Sequence, residues 1–360
     1  MLFFAKPAST FAQHALEHWR LSCKIAGARF ALTLSGPPCE IAASAALTAA
    51  FPIPSFAVSS DPVLGPEAAA SLPSWKDEKE SKAHKWQRRL RSLLNRYALS
   101  YLPRPFPSST RPITLVVPLA AKDLVVAGRS IAAIKRNLRH PITEVVIPGQ
   151  SHPDLKAFCA ENGFRYIDEN DVLPEKVKNF KYVVDGANRN GWVRQQVLKL
   201  SAFDYIEADN IFVCDADTIF LRPFSLFEGD KQILFEADEY VLPYHAMNKR
   251  LLGPIPRYQW SFVAHCMLFQ RHLVKDLHAK IEAYHHKPWL DAVLDNIDHT
   301  TEAGLSEYDL YGNFLFNYHR EAFVGRYWFN RKTRLRSDGD VEAAIAKYGS
   351  RFNSVSDHFH

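Results

Sequence analysis

Hydrophobic positions change period along this chain, and the changes mark its elements. Ile113-Thr114-Leu115-Val116-Val117-Pro118 is a short β-branched run, Val125–Leu138 has helical periodicity, and Glu144–Ile147 is a second apolar run ending in Pro148-Gly149. The order strand, helix, strand predicts a parallel pair joined by a crossover helix. Pro153–Asn162 predicts another helix, stopped by Gly163, and Phe164–Ile167 a third strand before the acidic loop Asp168–Asp171. Trp192–Ala202 follows as a helix with Val193, Val197, Leu198 and Leu200 available to a core. Ile211-Phe212-Val213 then predicts a buried strand, closed by Cys214-Asp215-Ala216-Asp217 and followed by Thr218–Leu221. Further strands are expected at Ile233–Glu236 and Ser261–Phe269, and helices at Leu273–Tyr284 and Leu290–Ile297. The sum is an α/β fold: one Rossmann-like domain over residues 112–330 with a mixed, mainly parallel sheet, and a C-terminal tail over 331–360.

The N-terminal third reads differently. Residues 1–75 are rich in Ala, Ser and Pro and keep no steady period, so they are expected to be a weakly ordered or loosely helical extension. Ile41–Val58 is apolar, but Pro52 and Pro54 interrupt it, which argues against a membrane-spanning helix. Lys82–Arg96 sets six cations (Lys82, Lys85, Arg88, Arg89, Arg91, Arg96) among Trp86, Leu90, Leu93 and Leu94 at helical spacing. Such a basic amphipathic helix suits either an anionic membrane surface or packing on the body with a solvated charged face. The prolines of Leu102–Pro112 predict a linker, so residues 76–111 are expected to join the extension to the domain.

Charge sharpens this division. Residues 1–111 hold 14 Lys and Arg against 7 Asp and Glu, whereas residues 112–360 hold 30 against 32, so the overall +5 belongs to the N-terminal part. A body so close to neutral lacks the electrostatic footprint of a nucleic-acid binder. Five scattered cysteines with no CxxC spacing argue against a zinc knuckle and a disulfide framework, and fit a reducing, cytoplasmic setting.

The candidate chemistry centres on Asp215 and Asp217. Two carboxylates where a buried strand runs out make a hard, oxygen-rich site suited to Mn2+ or Mg2+ together with a diphosphate. On one helix, Arg194, Gln195, Gln196 and Lys199 offer a cation and amides for a charged, hydroxyl-rich ligand. Glu307 and Asp309 in Ser306-Glu307-Tyr308-Asp309 are candidates for a catalytic base or acceptor clamp, and Ser306 with Asp309 also fits a helix cap. Glu236, Asp238 and Glu239 form an acidic cluster able to shape an acceptor pocket or simply end a strand.

The order of Ile113–Pro118, Glu144–Pro148, Gln195-Gln196-x-x-Lys199-Leu200 and Cys214–Thr218, with the later Ser306–Asn313 block, resembles glycosyltransferases of the GT-A type. More closely, it is similar to a largely bacterial family of glycosyltransferase-like proteins otherwise described as a domain of unknown function. The resemblance implies a GT-A-like domain in which Pro118, Leu119 and Asp123, after the first strand, abut the nucleotide, and Lys199 with its helix neighbours meets the pyrophosphate or donor sugar. It implies metal ligation by Asp215 and Asp217, completed by a late histidine, His319, with His265 as runner-up. It also implies a nucleotide-sugar donor and a glycan or glycolipid acceptor, as in surface polysaccharide synthesis. Peripheral contact with an anionic membrane through residues 82–97, at the inner face of the plasma membrane, would suit such an acceptor.

Two other functions stay open at this point. A sugar-phosphate nucleotidyltransferase shares the sheet and a metal aspartate, but needs a Gly-rich basic loop after the first strand, where this chain has Pro118-Leu119-Ala120-Ala121-Lys122-Asp123. A binding protein on a degenerate transferase fold would not need Asp215, Asp217 and Lys199 together.

Overall fold

In a computed structural model, the described residues are 75–97 and 106–357. The described residues all fall in the second unit of the chain, residues 63–360. The expectations for residues 1–74, including the apolar stretch 41–58, and for residues 102–105 of the proline linker lie outside the described residues.

The core of the second unit is a five-stranded sheet. Its strands are β1 (Ile113–Val116), β2 (Ile142–Gly149), β3 (Arg165–Asp168), β4 (Asn210–Cys214) and an edge strand at Cys266–Gln270, in the order edge strand-β4-β1-β2-β3. The first four run parallel, and the edge strand pairs antiparallel with β4, Cys266 opposite Cys214 and Gln270 opposite Asn210. Alternation along these strands builds two cores. Val116, Val146, Ile211 and Val213 point into one, while Leu115, Val145, Ile147 and Phe212 point into the other. A sheet covered on both faces needs continuous apolar runs, which is why β1 and the end of β4 read so clearly in sequence.

Helices seal the two faces. Helix α1 (Lys82–Tyr97) precedes the sheet; α2 (Leu124–Asn137), α3 (Pro153–Asn162) and α4 (Asn190–Leu200) follow strands in βα order. Ala127, Ile131 and Ile134 form the buried stripe of α2, and Ser130 Oγ and Asn137 Nδ2 donate to the carbonyls of Thr218 and Phe220 at 2.5 and 2.8 Å. Gly149 ends β2 where a Cβ would stand 2.3 Å from the Leu119 carbonyl oxygen, so the loop after β1 can cross only a residue with no side chain.

The C-terminal half adds β5 (Thr218–Phe220), β6 (Lys231–Glu236), α5 (Leu242–Leu252), the edge strand now labelled β7 (Cys266–Gln270), α6 (Arg271–His285), α7 (Trp289–Asn296) and α8 (Glu307–Tyr318). Ser306 caps α8 by accepting from the Asp309 N–H at 3.3 Å, and every residue from Glu307 to Leu315 is buried. Gly312 lets α8 approach Phe262, whose ring a Cβ there would meet at 2.3 Å.

Two expectations about boundaries are corrected. Residues 331–357 are no tail: β9 (Asn330–Lys332), α9 (Asp338–Tyr348) and β10 (Ser354–Ser356) come after β8 (Phe323–Tyr327), and β10 pairs antiparallel with β5 while Leu335 and Val355 are fully buried. With β5 they make a separate three-stranded sheet in the order β9-β10-β5. Helix α1 likewise belongs to the body, and it is turned inside out relative to an ordinary amphipathic helix. Arg91 pairs with Glu236, Arg96 and Ser92 bond Asp238 at 2.9 and 2.8 Å, and His84 Nε2 meets the Gln259 carbonyl at 2.8 Å. Trp86, Leu90 and Leu93 point outward, 69%, 50% and 55% exposed. The acidic cluster Glu236 and Asp238 therefore anchors α1 instead of shaping an acceptor pocket.

Candidate active site

Strand order fixes where a ligand can sit. From β1 the chain winds one way through β2 and β3, and β4 then takes β1's other edge, with Val116 opposite Val213. The crevice beyond the carboxyl ends of β1 and β4 is thus the switch point at which open α/β sheets bind ligands. The segments ending those two strands are Val117-Pro118-Leu119 and Cys214-Asp215-Ala216-Asp217.

Asp215 stands at this point in a buried polar knot. Its Oδ1 accepts from Lys199 Nζ at 2.6 Å and from the Tyr308 hydroxyl at 2.9 Å. Lys199 Nζ also donates to Glu307 Oε1 at 2.7 Å and to the Tyr308 oxygen at 3.1 Å. All three ammonium donors are consumed, and Lys199 and Glu307 are each 1% exposed. Burial works against the ammonium, but the Asp215 and Glu307 carboxylates outweigh it and hold the lysine above its ordinary pKa. Burial pushes Glu307 up, against the pull of Lys199, and raises the Tyr308 phenol well above its usual range.

This geometry reassigns several expected roles. Lys199 has no donor left for a pyrophosphate; it is a positioning residue that fixes Asp215. Glu307 is sealed in the core and is Lys199's counter-charge, so it cannot reach an acceptor hydroxyl. Gln196 Oε1 accepts from the Glu307 N–H at 3.2 Å, tying α4 to the first turn of α8. Arg194 turns the other way, donating to the Lys178 carbonyl at 2.6 Å and facing Glu169 at 3.5 Å, which removes it from the donor side. Gln195 is half-buried on the same stripe of α4 as Trp192 and Lys199. Pro118 and Leu119 are buried and Asp123 half-buried, so the loop after β1 offers its backbone more than its side chains to the crevice.

The histidine beside Asp215 is His265, not His319. Helix α8 starts at Glu307, next to Lys199, and 12 residues at 1.5 Å put its far end roughly 18 Å away. His319 caps that far end and faces Asp276 at 3.7 Å. His265 precedes β7, whose antiparallel register with β4 brings it to the end of that strand: its carbonyl accepts from the Asp215 N–H at 2.9 Å, and its Nδ1 lies 3.4 Å from Asp215 Oδ2. It adopts φ +64°, a left-handed conformation costly for a side chain with a Cβ. An antiparallel return strand after the Asp-x-Asp segment was the signal in the sequence that favoured His265.

Among the described residues, no three His, Cys, Asp or Glu converge into a ready-made cation site. Asp215 Oδ2 and His265 Nδ1 nonetheless suit a two-residue hold on Mn2+ or Mg2+ whose shell is completed by ligand oxygens, the common way such ions are bound with phosphates. Asp217, two residues on and half-buried, is the third candidate.

Asp309 faces the opposite side of α8 from Glu307. With Tyr240, Arg257, Trp260, Ser261 and Asn313 it lines a small, partly open pocket that the sequence did not disclose. Asn248 Nδ2 donates to Asp309 Oδ2 at 2.9 Å, and burial raises this carboxyl to about 6 against opposing help from Arg257 and Asn248. Its proton therefore exchanges near neutral pH, the range a general base requires. Glu307 and Asp309 sit two residues apart on a helix about 10 Å across, so the two sides of the site are neighbours.

No curated protein matches the chain in sequence. Among solved structures, it is similar to mouse xyloside xylosyltransferase 1 in its apo form, with a TM-score of 0.40 and 13% identity over 69% of this chain and 98% of that one. It is also similar to the galactosyltransferase LgtC in complex with donor and acceptor sugar analogues, with a TM-score of 0.38 and 15% identity over 69% of this chain and 87% of that one. A family model matches residues 135–343, and by that match the chain belongs to the family of unknown function DUF6492.

Proposed function

We propose that this protein is a glycosyltransferase that moves a sugar from a nucleotide-sugar donor to a glycan or glycolipid acceptor. The observation behind this reading is the Asp215-Ala216-Asp217 segment at the switch point of the sheet, its first carboxylate clamped by Lys199 and Tyr308 and facing His265. Asp215, His265 and Asp217 would hold Mn2+ or Mg2+, which supplies Lewis-acid stabilisation to a departing diphosphate when bound. The chain's own residues do the rest. Lys199 and Tyr308 fix one oxygen of Asp215, so its other oxygen keeps a set direction. Asp309, ionised above about pH 6, accepts the proton of an acceptor hydroxyl in the adjoining pocket.

The exposed stripe of α1 supports a peripheral membrane location. Trp86, Leu90 and Leu93 face outward beside exposed Lys82, Lys85 and Arg89, an arrangement suited to shallow insertion into an anionic bilayer at the cytoplasmic face of a membrane. No helix among the described residues is long and apolar enough to cross a membrane.

Thermal shift tests the transferase reading. Uridine or guanosine diphosphate with Mn2+ is expected to raise the melting temperature of the wild type and not of Asp217→Ala or His265→Ala. Release of pyrophosphate from a sugar phosphate and a nucleoside triphosphate would instead identify a nucleotidyltransferase.

A further inference from the structure

Cys214 and Cys266 are far apart in sequence, yet the sheet sets them face to face. In the antiparallel pairing of β4 with β7 they stand directly opposite each other. The flanking pairs fix the kind of position they occupy. The Asp215 N–H donates to the His265 carbonyl and the Arg271 N–H to the Asp209 carbonyl, each at 2.9 Å, so Asp215–His265 and Asp209–Arg271 are hydrogen-bonded pairs. Hydrogen-bonded and non-hydrogen-bonded pairs alternate along such a ladder, which makes Cys214–Cys266 a non-hydrogen-bonded pair, the kind whose side chains approach most closely. The Gln270 N–H fits the same alternation, since it points away from β4 to the Tyr311 hydroxyl at 3.3 Å.

Both thiols are free and fully buried, and both belong to the core that Phe212, Ala264 and Leu268 share on one face of the sheet. The Cα atoms of a non-hydrogen-bonded pair stand about 4.5 Å apart, within the roughly 4.4–6.8 Å that a disulfide spans. Strand β7 is the outer strand of its sheet and begins just after His265, whose φ of +64° is costly, so local opening of this edge is cheapest at that end. Asp215 and His265 are the next pair along the same two strands. A bond between the cysteines would therefore hold those two side by side.

We propose that Cys214 and Cys266 are a redox-active pair that closes into a reversible disulfide, stapling β7 to β4 beside Asp215 and His265. The oxidant is a low-molecular-weight disulfide such as oxidised glutathione. One cysteine sulfur attacks it, forming a mixed disulfide and releasing one glutathione thiol; the second cysteine sulfur then displaces the other glutathione. The two cysteines give up two electrons and two protons, and the two glutathione thiols take them. Buried thiols exchange slowly, so the step proceeds when the start of β7 opens or as the chain folds. The staple is independent of the transferase reading; on that reading it holds together two of the residues that face the cation.

To test this, the full chain is treated with oxidised glutathione, both folded and while refolding from urea, then alkylated and mapped by mass spectrometry without reduction. The expected product is a Cys214–Cys266 link two hydrogens lighter than the dithiol, reopened by dithiothreitol. Closing the loop between the two cysteines is expected to raise the melting temperature by about 4–16 °C over the reduced protein. Amide hydrogen exchange over residues 263–270 should slow about tenfold or more, because the strand end can no longer open by itself. Cys266→Ala should show neither change after the same treatment. Recovery of both thiols unlinked under both treatments would overturn the proposal, as would glutathione left on either one or a link from either to a different cysteine. A Cys214–Cys266 link that lowers the melting temperature, leaves exchange over residues 263–270 unchanged, or resists dithiothreitol would also overturn it. The linkage is read from the wild type, so a Cys266→Ala chain that fails to fold leaves the test decisive.

Discussion

Replacing Lys199 by methionine removes one ammonium and keeps most of the side-chain volume. In the wild type Nζ lies 2.6 Å from Asp215 and 2.7 Å from Glu307, with the lysine 1% exposed. Breaking a buried pair by removing one partner costs about 3–5 kcal/mol, because the remaining charge stays buried without compensation. For a domain of this size about 1 kcal/mol corresponds to 2–4 °C, so the melting temperature should fall by roughly 6–20 °C. The deficit should depend on pH in a set direction. Without the ammonium, the Glu307 carboxyl, already raised by burial, rises further. A carboxyl whose folded pKa exceeds its unfolded value binds a proton more tightly when folded, so the deficit shrinks as pH falls and grows as pH rises. Urea titrations at pH 5 and pH 8 read this directly. Adding Glu307→Gln to Lys199→Met should return about 1–3 kcal/mol, since the two groups are in contact. A loss below about 1 kcal/mol, typical of an exposed pair, or single-variant losses that add in the double variant, would refute the idea of a buried knot.

Other outcomes follow from the same geometry. Asp309→Asn should abolish transfer while stabilising the fold at pH 8 by up to about 3 kcal/mol, and by nothing below pH 4, because the raised carboxyl pays for ionisation only above its unfolded pKa; wild-type turnover should rise with pH through about 6 and then level. His265→Gly should be more stable than His265→Ala by about 1 kcal/mol in urea titrations, since φ +64° strains alanine and not glycine, and both should lose any response to Mn2+. Gly312→Ala should cost about 1–3 kcal/mol by forcing α8 away from Phe262. Trp86→Ser with Leu90→Ser should leave the melting temperature unchanged and reduce co-sedimentation with vesicles containing anionic phospholipid, whereas vesicles of neutral phospholipid should bind neither form.

Elements buried on two faces were legible in the sequence, because continuous apolar runs such as Ile113–Val117 and Ile211–Val213 fit little else. Position at a strand end also singled out Asp215, and the cap at Ser306 followed from residue type. What escaped was partnership. Nothing in Gln195-Gln196-x-x-Lys199 tells that Lys199 turns inward onto Glu307, more than one hundred positions away, and not outward toward a phosphate. The choice of His319 over His265 ignored that a helix carries its two ends apart, while an antiparallel partner returns the chain to the same place. Helix α1 was legible as amphipathic, but amphipathicity shows that two faces differ, not which one meets the body; here Glu236 and Asp238 decide it.

The first turn of α8 holds Glu307 and Tyr308 toward Asp215 and Asp309 toward the other pocket. Because adjacent residues of one turn serve two compartments, drift in this stretch is constrained jointly. A chain descended from this one could not exchange Lys199 for a neutral residue while keeping Glu307, nor insert a residue within the first turn of α8, which would swing the groups on either side of it apart by about 100°. Lineages should therefore keep or abandon Lys199, Asp215, Glu307 and Tyr308 as a unit.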